Sequence, residues 1–181
     1  KKLNELNRFS LRSVYLVTEG KSLDEALANN EKLAKRIEKL QADKIVYKYS
    51  GVSSLIISGS LQKSRIEKWN NYWTPGKKDS LLATLKKEGV ALKFSSAAFG
   101  PFKEMLDKDY QPVAPGAMDA VRINFLDDYI TEKPGKSTVV TLLKVPPEKK
   151  QSVYNEFEKD ENITVLDKQY LAGRVVQIIK D

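Results

Sequence analysis

The chain has 181 residues, with 31 Lys and Arg against 24 Asp and Glu, 41% hydrophobic residues, and neither His nor Cys. That is enough chain to bury a core without disulfides or structural zinc. The missing His and Cys exclude Ser-His-Asp triads, Cys-His dyads, zincin helices and Cys-ligated zinc or iron–sulfur centres, leaving carboxylate, lysine and hydroxyl chemistry.

The net charge of +7 invites a polyanion reading, but its distribution argues otherwise. Residues 1–100 carry 19 basic and 10 acidic groups, and residues 101–181 carry 12 and 14. In the basic half the charges interleave, as in Glu31, Lys32, Lys35, Arg36, Glu38 and Lys39, the pattern of a solvated helix face. No apolar run approaches the ~18 residues of a membrane helix; the longest clean stretches are Val52–Ile57 and Val139–Val145. The sequence begins at Lys1 with no initiator Met or apolar leader, which reads as a segment of a longer protein or a processed N terminus.

Ser13–Thr18, dense in β-branched and aromatic residues, predicts a buried strand closed by Glu19-Gly20. Ser22 with Glu25 three positions on forms a capping box, and Leu23, Ala26, Leu27, Leu33, Ala34, Ile37 and Leu40 recur at helical spacing to about Asp43. Lys44–Ser50 alternates Ile45, Tyr47 and Tyr49 with Val46 and Lys48, predicting a second strand.

Residues 51–132 change character. Ser60 caps a predicted helix through Leu61, Ile66, Trp69, Tyr72 and Trp73, ended by Thr74-Pro75-Gly76. Asp79 or Ser80 opens another through Leu81, Leu82 and Leu85, with Gly89 as the residue just past its end. Ser95 or Ser96 starts a short one through Phe99, Phe102 and Leu106, with Pro101 in its first turn. Gln111–Gly116 is a loop, and Met118, Val121, Phe125, Leu126, Tyr129 and Ile130 fall at helical intervals.

After the turn Lys133-Pro134-Gly135-Lys136 comes an apolar β-branched run, Thr138–Val145. Pro146-Pro147-Glu148 then starts a helix with Val153, Tyr154 and Phe157 facing inward, and Ile163–Leu166 is a short strand. Gln169–Lys180 has helical spacing, with Gly173 leaving a β alternative open. Two βαβ units sharing one antiparallel sheet predict an α+β, split-βαβ (ferredoxin-like) fold with the helices on one sheet face. Its parts are a first half at 1–50, an inserted helical subdomain at 51–132, and a second half with a C-terminal segment at 133–181.

The densest aromatic set is Trp69, Tyr72 and Trp73 with Phe94, Phe99 and Phe102. Such rings build either the core of a helical subdomain or the lining of a lipophilic pocket. The tight acidic sets, Asp127-Asp128, Asp107 with Asp109, and Asp160-Glu161, lack the Gly-containing loop of a hard-cation site. A carboxylate hydrolase stays open on composition alone, with no pair singled out. Neither nucleotide fingerprint has its glycine spacing here, so no cofactor and no metal are expected. A basic ferredoxin-like sheet is also how an RNA-recognition module looks, with Tyr15, Tyr47 and Tyr49 as stacking rings, although the module's signature strand is missing.

Several strings, in order, carry a family resemblance: Ser22-Leu23-Asp24-Glu25-Ala26-Leu27 with its long helix; Ser53–Ile57 running into Gln62, Arg65-Ile66 and Trp69; Gly89 with Phe99-x-Pro101-Phe102; and the strand-helix-strand after Lys136. From about Arg12 onward the chain resembles the first extracytoplasmic domain of RND-superfamily exporters of the MmpL-like type. The resemblance implies a porter-type domain on the periplasmic side of a bacterial inner membrane. Its movements would accompany export of lipids or other hydrophobic compounds, and its partners would be that substrate and the rest of the exporter, with no nucleic acid. It implies no catalysis, because the proton-relaying acids of such exporters lie in membrane helices. The expected substrate-binding residues are Trp69, Trp73, Phe99 and Phe102, lining a crevice between the βαβ core and the insert.

Overall fold

The computed structural model describes residues 11–95, 97–114 and 116–167, and its sheet is built outward from one strand, β1 (Arg12–Gly20). Val14 and Leu16 are fully buried while Tyr15 between them is exposed, the period-2 signature of a strand with one covered face. Five strands form one antiparallel sheet, giving an α+β fold. The described chain divides into two units. One runs to Ser58 and resumes at Gly116; the other comprises Gly59–Ala114. Among the described residues no helix is long and apolar enough to cross a membrane.

In the sheet-bearing unit, β1 leads into α1 (Leu23–Ala42), whose cap follows the expected box with one shift. The Glu25 amide donates to Ser22 Oγ at 3.3 Å, while Glu25 Oε2 accepts from the Lys21 amide at 2.7 Å rather than from that of Ser22. At its far end Lys44 adopts φ 58°. The Lys44 amide donates to Gln41 O and the Ile45 amide to Leu40 O, a Schellman closure that satisfies the last carbonyls. This corrects the expected Lys44–Ser50 strand. Ile45 and Val46 belong to the helix exit, and β2 is only Lys48–Ser50.

The next two strands, β3 (Ile130–Lys133) and β4 (Lys136–Val145), form a hairpin whose Pro134-Gly135 turn has Gly135 at φ 72°, the left-handed value a type II turn requires. β1 pairs with β4 along residues 137–145, so β2 and β3 must share the other edge of β4. They lie there in line: Ser50 opposite Leu142, then Ile130 opposite Val139. The chain therefore leaves one edge strand near Gly51 and rejoins it at Tyr129, whose carbonyl accepts from the Val140 amide at 2.8 Å.

The segments next to that gap fold back onto the sheet. Val52 and Ile56, Leu126 and Ile130 form one buried cluster with Ala26, Leu27 and Val139. Residues 51–58 and 116–132, expected as part of the insert, thus pack with the sheet. The predicted helix through Ile130 is corrected to α5 (Asp119–Val121), a π-helical stretch Arg122–Leu126, and a strand from Ile130.

A 3-10 turn at Pro147–Lys149 starts α6 (Lys150–Phe157), and β5 (Ile163–Leu166) pairs with β1. Val153, Tyr154 and Phe157 of α6 and Leu33, Ile37 and Leu40 of α1 pack on Val14, Leu16, Leu143, Val145 and Val165. These strand residues share one sheet face by register, which makes it the covered face. The expected segment Gln169–Lys180 lies outside the described residues.

The second unit holds α2 (Gly59–Tyr72), α3 (Pro75–Ala91) and α4 (Gly100–Asp107). Four expectations need correcting. Ser60 does not cap α2, which already begins at Gly59. Helix α3 does not wait for Asp79 or Ser80. Thr74 is its extended N-cap residue and Pro75 opens it, because the missing proline amide is one that a first turn leaves unpaired anyway. Gly89 is not past the end of α3 either: the left-handed residue is Lys93 at φ 60°, with the Phe94 amide donating to Gly89 O and the Lys93 amide to Val90 O. Helix α4 begins at Gly100, later than Ser95, and Ser96 lies outside the described residues.

Candidate functional site

Trp69, Trp73, Phe99 and Phe102 all belong to the Gly59–Ala114 unit, and each is half-buried. The first three fall into two separate ring groups. Trp69 and Trp73, one helical turn apart, have ring centroids 5.9 Å apart; Tyr110 sits edge-on to Trp69 at 5.7 Å and Tyr72 edge-on to Trp73 at 4.9 Å. Phe99 instead meets Phe94 at 5.7 Å.

The Phe99 group encloses space. A cavity of about 440 Å³ is lined by Leu82, Lys86, Gly89, Val90, Phe94, Ser95, Phe99, Gly100 and Lys103. Leu82, Lys86, Gly89 and Val90 recur at positions i, i+4, i+7 and i+8, so one face of α3 makes one wall. The start of α4 makes the other. Gly89 lets these two elements approach: a Cβ built on it would lie 2.8 Å from Phe99 Cε2. Of the expected binding residues, Phe99 lines this cavity, and Trp69, Trp73 and Phe102 do not.

Both charged residues in the lining are lysines. Lys103 Nζ is 2.6 Å from Asp107 Oδ2, and Lys78 Nζ is 3.6 Å from Asp107 Oδ1. The hydrogen bond from Lys103 to Asp107 holds the ammonium pKa above its ordinary value and the carboxyl pKa below its own. Lys86 has no ion pair among the described residues. Sequence reasoning missed Lys86 and Lys103. The signal available was the spacing along α3, with Gly89 on the same face as Leu82.

The other candidates disperse. Asp127 and Asp128 are exposed, Asp107 is held by lysines, and Asp160 Oδ2 accepts from Arg36 Nη1 at 2.6 Å. Among the described residues no three His, Cys, Asp or Glu side chains gather in a way that could hold a metal ion. Of the three tyrosines considered for base stacking, Tyr15 lies on the open sheet face with Leu142 and Leu166 as its register partners. Tyr49 packs against the buried core instead, where burial and Glu38 raise its pKa above the ordinary value. Tyr47 is exposed at the entry to β2. Compared with protein-family models, curated proteins and solved structures, the chain matches none of them.

Proposed function

We propose that this chain is a porter-type extracytoplasmic domain of an RND-superfamily, MmpL-like exporter, and that it binds or gates a lipid or other hydrophobic substrate without chemistry of its own. The observation that carries the reading is the apolar cavity of about 440 Å³ around Phe99, a size in the usual range of small-molecule sites, roughly 300–1,000 Å³. The strand order β2-β4-β1-β5, with α1 and α6 on one face, accords with a split-βαβ, ferredoxin-like core into which the Gly59–Ala114 unit is inserted.

Native mass spectrometry of the purified chain for co-purifying lipid, together with calorimetric titration with lipid, tests the binding half. Bound lipid or a saturable heat of binding is expected, and the absence of both overturns it. The exporter half is tested by fractionating cells that carry the full-length gene. Recovery in the inner-membrane fraction is the expected result, and recovery only in the cytosol overturns it.

A further inference from the structure

The cavity has an apolar interior, and its charged lining residues are the lysines Lys86 and Lys103. Leu82, Val90, Phe94 and Phe99 supply hydrocarbon and ring surface, and Val90 and Phe94 are 73% and 55% exposed, so the apolar surface continues out to the mouth. Among the described residues no acidic side chain contributes to the lining. Of the two lysines that do, Lys103 is already engaged by Asp107 within α4. Lys86 is exposed and holds no counter-charge among the described residues. A neutral ligand would use the apolar wall and leave this ammonium idle. A ligand with an acid at one end of a hydrocarbon chain uses both.

Resting on the ligand-binding reading above, we propose that the cavity takes a single-chain amphiphile with an acidic head group, its chain against Phe94 and Phe99 and its head on Lys86. The discrimination is electrostatic and local: a charge-assisted hydrogen bond from the ammonium to a carboxylate is stronger than one to a hydroxyl.

The test is calorimetric titration of the intact chain with decanoate, decanol and decyltrimethylammonium, each below its aggregation concentration. Decanoate is expected to bind about tenfold more tightly than decanol, as a charge-assisted bond implies. Lys86→Gln removes that difference, while Lys86→Arg keeps it. Equal binding of decanoate and decanol, or a decanoate preference that survives Lys86→Gln, overturns the head-group assignment but leaves lipid binding standing. Failure of all three ligands to bind takes the lipid-binding reading down with it. Vesicles of anionic phospholipid form a further arm. Lys86-dependent vesicle binding without decanoate binding would assign the lysine to a bilayer surface and overturn the cavity proposal.

Discussion

Ser50 and Ile130 stand on the same edge of β4, the first opposite Leu142 and the second opposite Val139. Far apart in sequence, they belong to one interrupted edge strand, and only the positions opposite Thr141 and Val140 separate them. Gly51 sits at the break, and a Cβ there would come within 3.0 Å of Thr141 Oγ1. Asn30 of α1 donates to the same hydroxyl oxygen at 2.9 Å, so the gap is closed over by a buried side chain.

This geometry predicts that the sheet-bearing unit does not need the residues between Gly59 and Ala114. Every member of its two buried clusters lies outside that span. Replacing 59–114 by a short Gly/Ser linker is therefore expected to leave a chain with cooperative thermal unfolding and a mixed helix-and-strand circular dichroism spectrum, at a loop-closure cost that grows only slowly with length. A non-cooperative melt would show that the two units fold only together.

Lys150 and Asp167 form a nearly buried ion pair, 2.8 Å apart, between the first turn of α6 and the end of β5. Removing one partner takes from the other the opposite charge it is paired with. Asp167→Asn is expected to cost about 3–5 kcal/mol in urea unfolding. The double substitution Lys150→Met with Asp167→Leu should recover most of that loss, since well-packed apolar residues replace buried pairs without penalty in other proteins. A double variant as unstable as Asp167→Asn would mean that the pair fixes the backbone rather than only satisfying its own charges.

The same site sets an alkaline limit. Burial works to lower the Lys150 pKa, but the charge-assisted contact with Asp167, with the nearby Tyr154 adding to it, outweighs burial and leaves the value above the ordinary 10.5. Tyr154 is raised above 10.0, chiefly by burial. Both groups are protonated more tightly when folded, so their contribution is fully present below their unfolded pKa values and lost as pH climbs through the raised ones. Stability measured by denaturant titration should fall as pH rises past about 10, and Lys150→Met with Asp167→Leu should flatten that fall.

On the acid side the relevant pair is Arg36 with Asp160, which ties α1 to the residues after α6. Burial pushes the Asp160 pKa up, and the hydrogen bond from Arg36 more than offsets it, so the net direction is below the ordinary 3.8. A carboxyl depressed in the folded state stabilises above its unfolded pKa and loses that contribution as pH falls through the folded one. Arg36→Gln is expected to reduce the acid-side slope below pH ~4 and leave the alkaline slope unchanged. An unaltered acid slope would assign acid unfolding to other carboxylates.

How far the sequence carried this description depended on whether local and tertiary demands coincided. They did for β1 and β4, where alternation and burial agree, and for α1, whose apolar stripe meets the sheet. They parted at Ile45, whose place in an alternating run looks like a strand but whose amide closes a helix. At Pro75 a helix opener was read as a breaker. Ile130 fitted a helical spacing because the π-helical stretch Arg122–Leu126 delivers it to the sheet edge. The candidate site was legible as an aromatic-rich segment and no further. Periodicity places residues on a helix face, but which ring meets which depends on how helices cross, so Phe99 and Trp69 could not be separated in advance.

Lys44 and Lys93 both occupy left-handed positions at helix ends, at φ 58° and 60°. A residue with a Cβ is strained there by about 1–2 kcal/mol relative to its right-handed conformation, whereas glycine is not. Part of that gain is lost to the greater freedom of glycine in the unfolded chain. Lys44→Gly and Lys93→Gly should each stabilise by up to about 1 kcal/mol in chemical denaturation. A loss of stability would show that the lysine stems contribute packing that outweighs the backbone strain.

Gly89 offers the sharpest test of how the cavity is built. It lies inside α3, where glycine costs about 1 kcal/mol relative to alanine, so propensity alone predicts that Gly89→Ala stabilises. The added methyl would, however, meet Phe99 Cε2 at 2.8 Å and Phe99 Cζ at 3.3 Å. Overpacking of that kind costs about 1–3 kcal/mol unless the neighbour moves, and the end of a phenyl ring can move. The two effects should nearly cancel in stability, leaving Gly89→Ala within about 1 kcal/mol of the parent. The displaced ring is where the substitution shows: decanoate and decanol affinities should fall together, because the apolar wall and not the lysine is disturbed. A variant that keeps both affinities would remove Phe99 from the binding surface and leave the Trp69 and Trp73 group as the place to look.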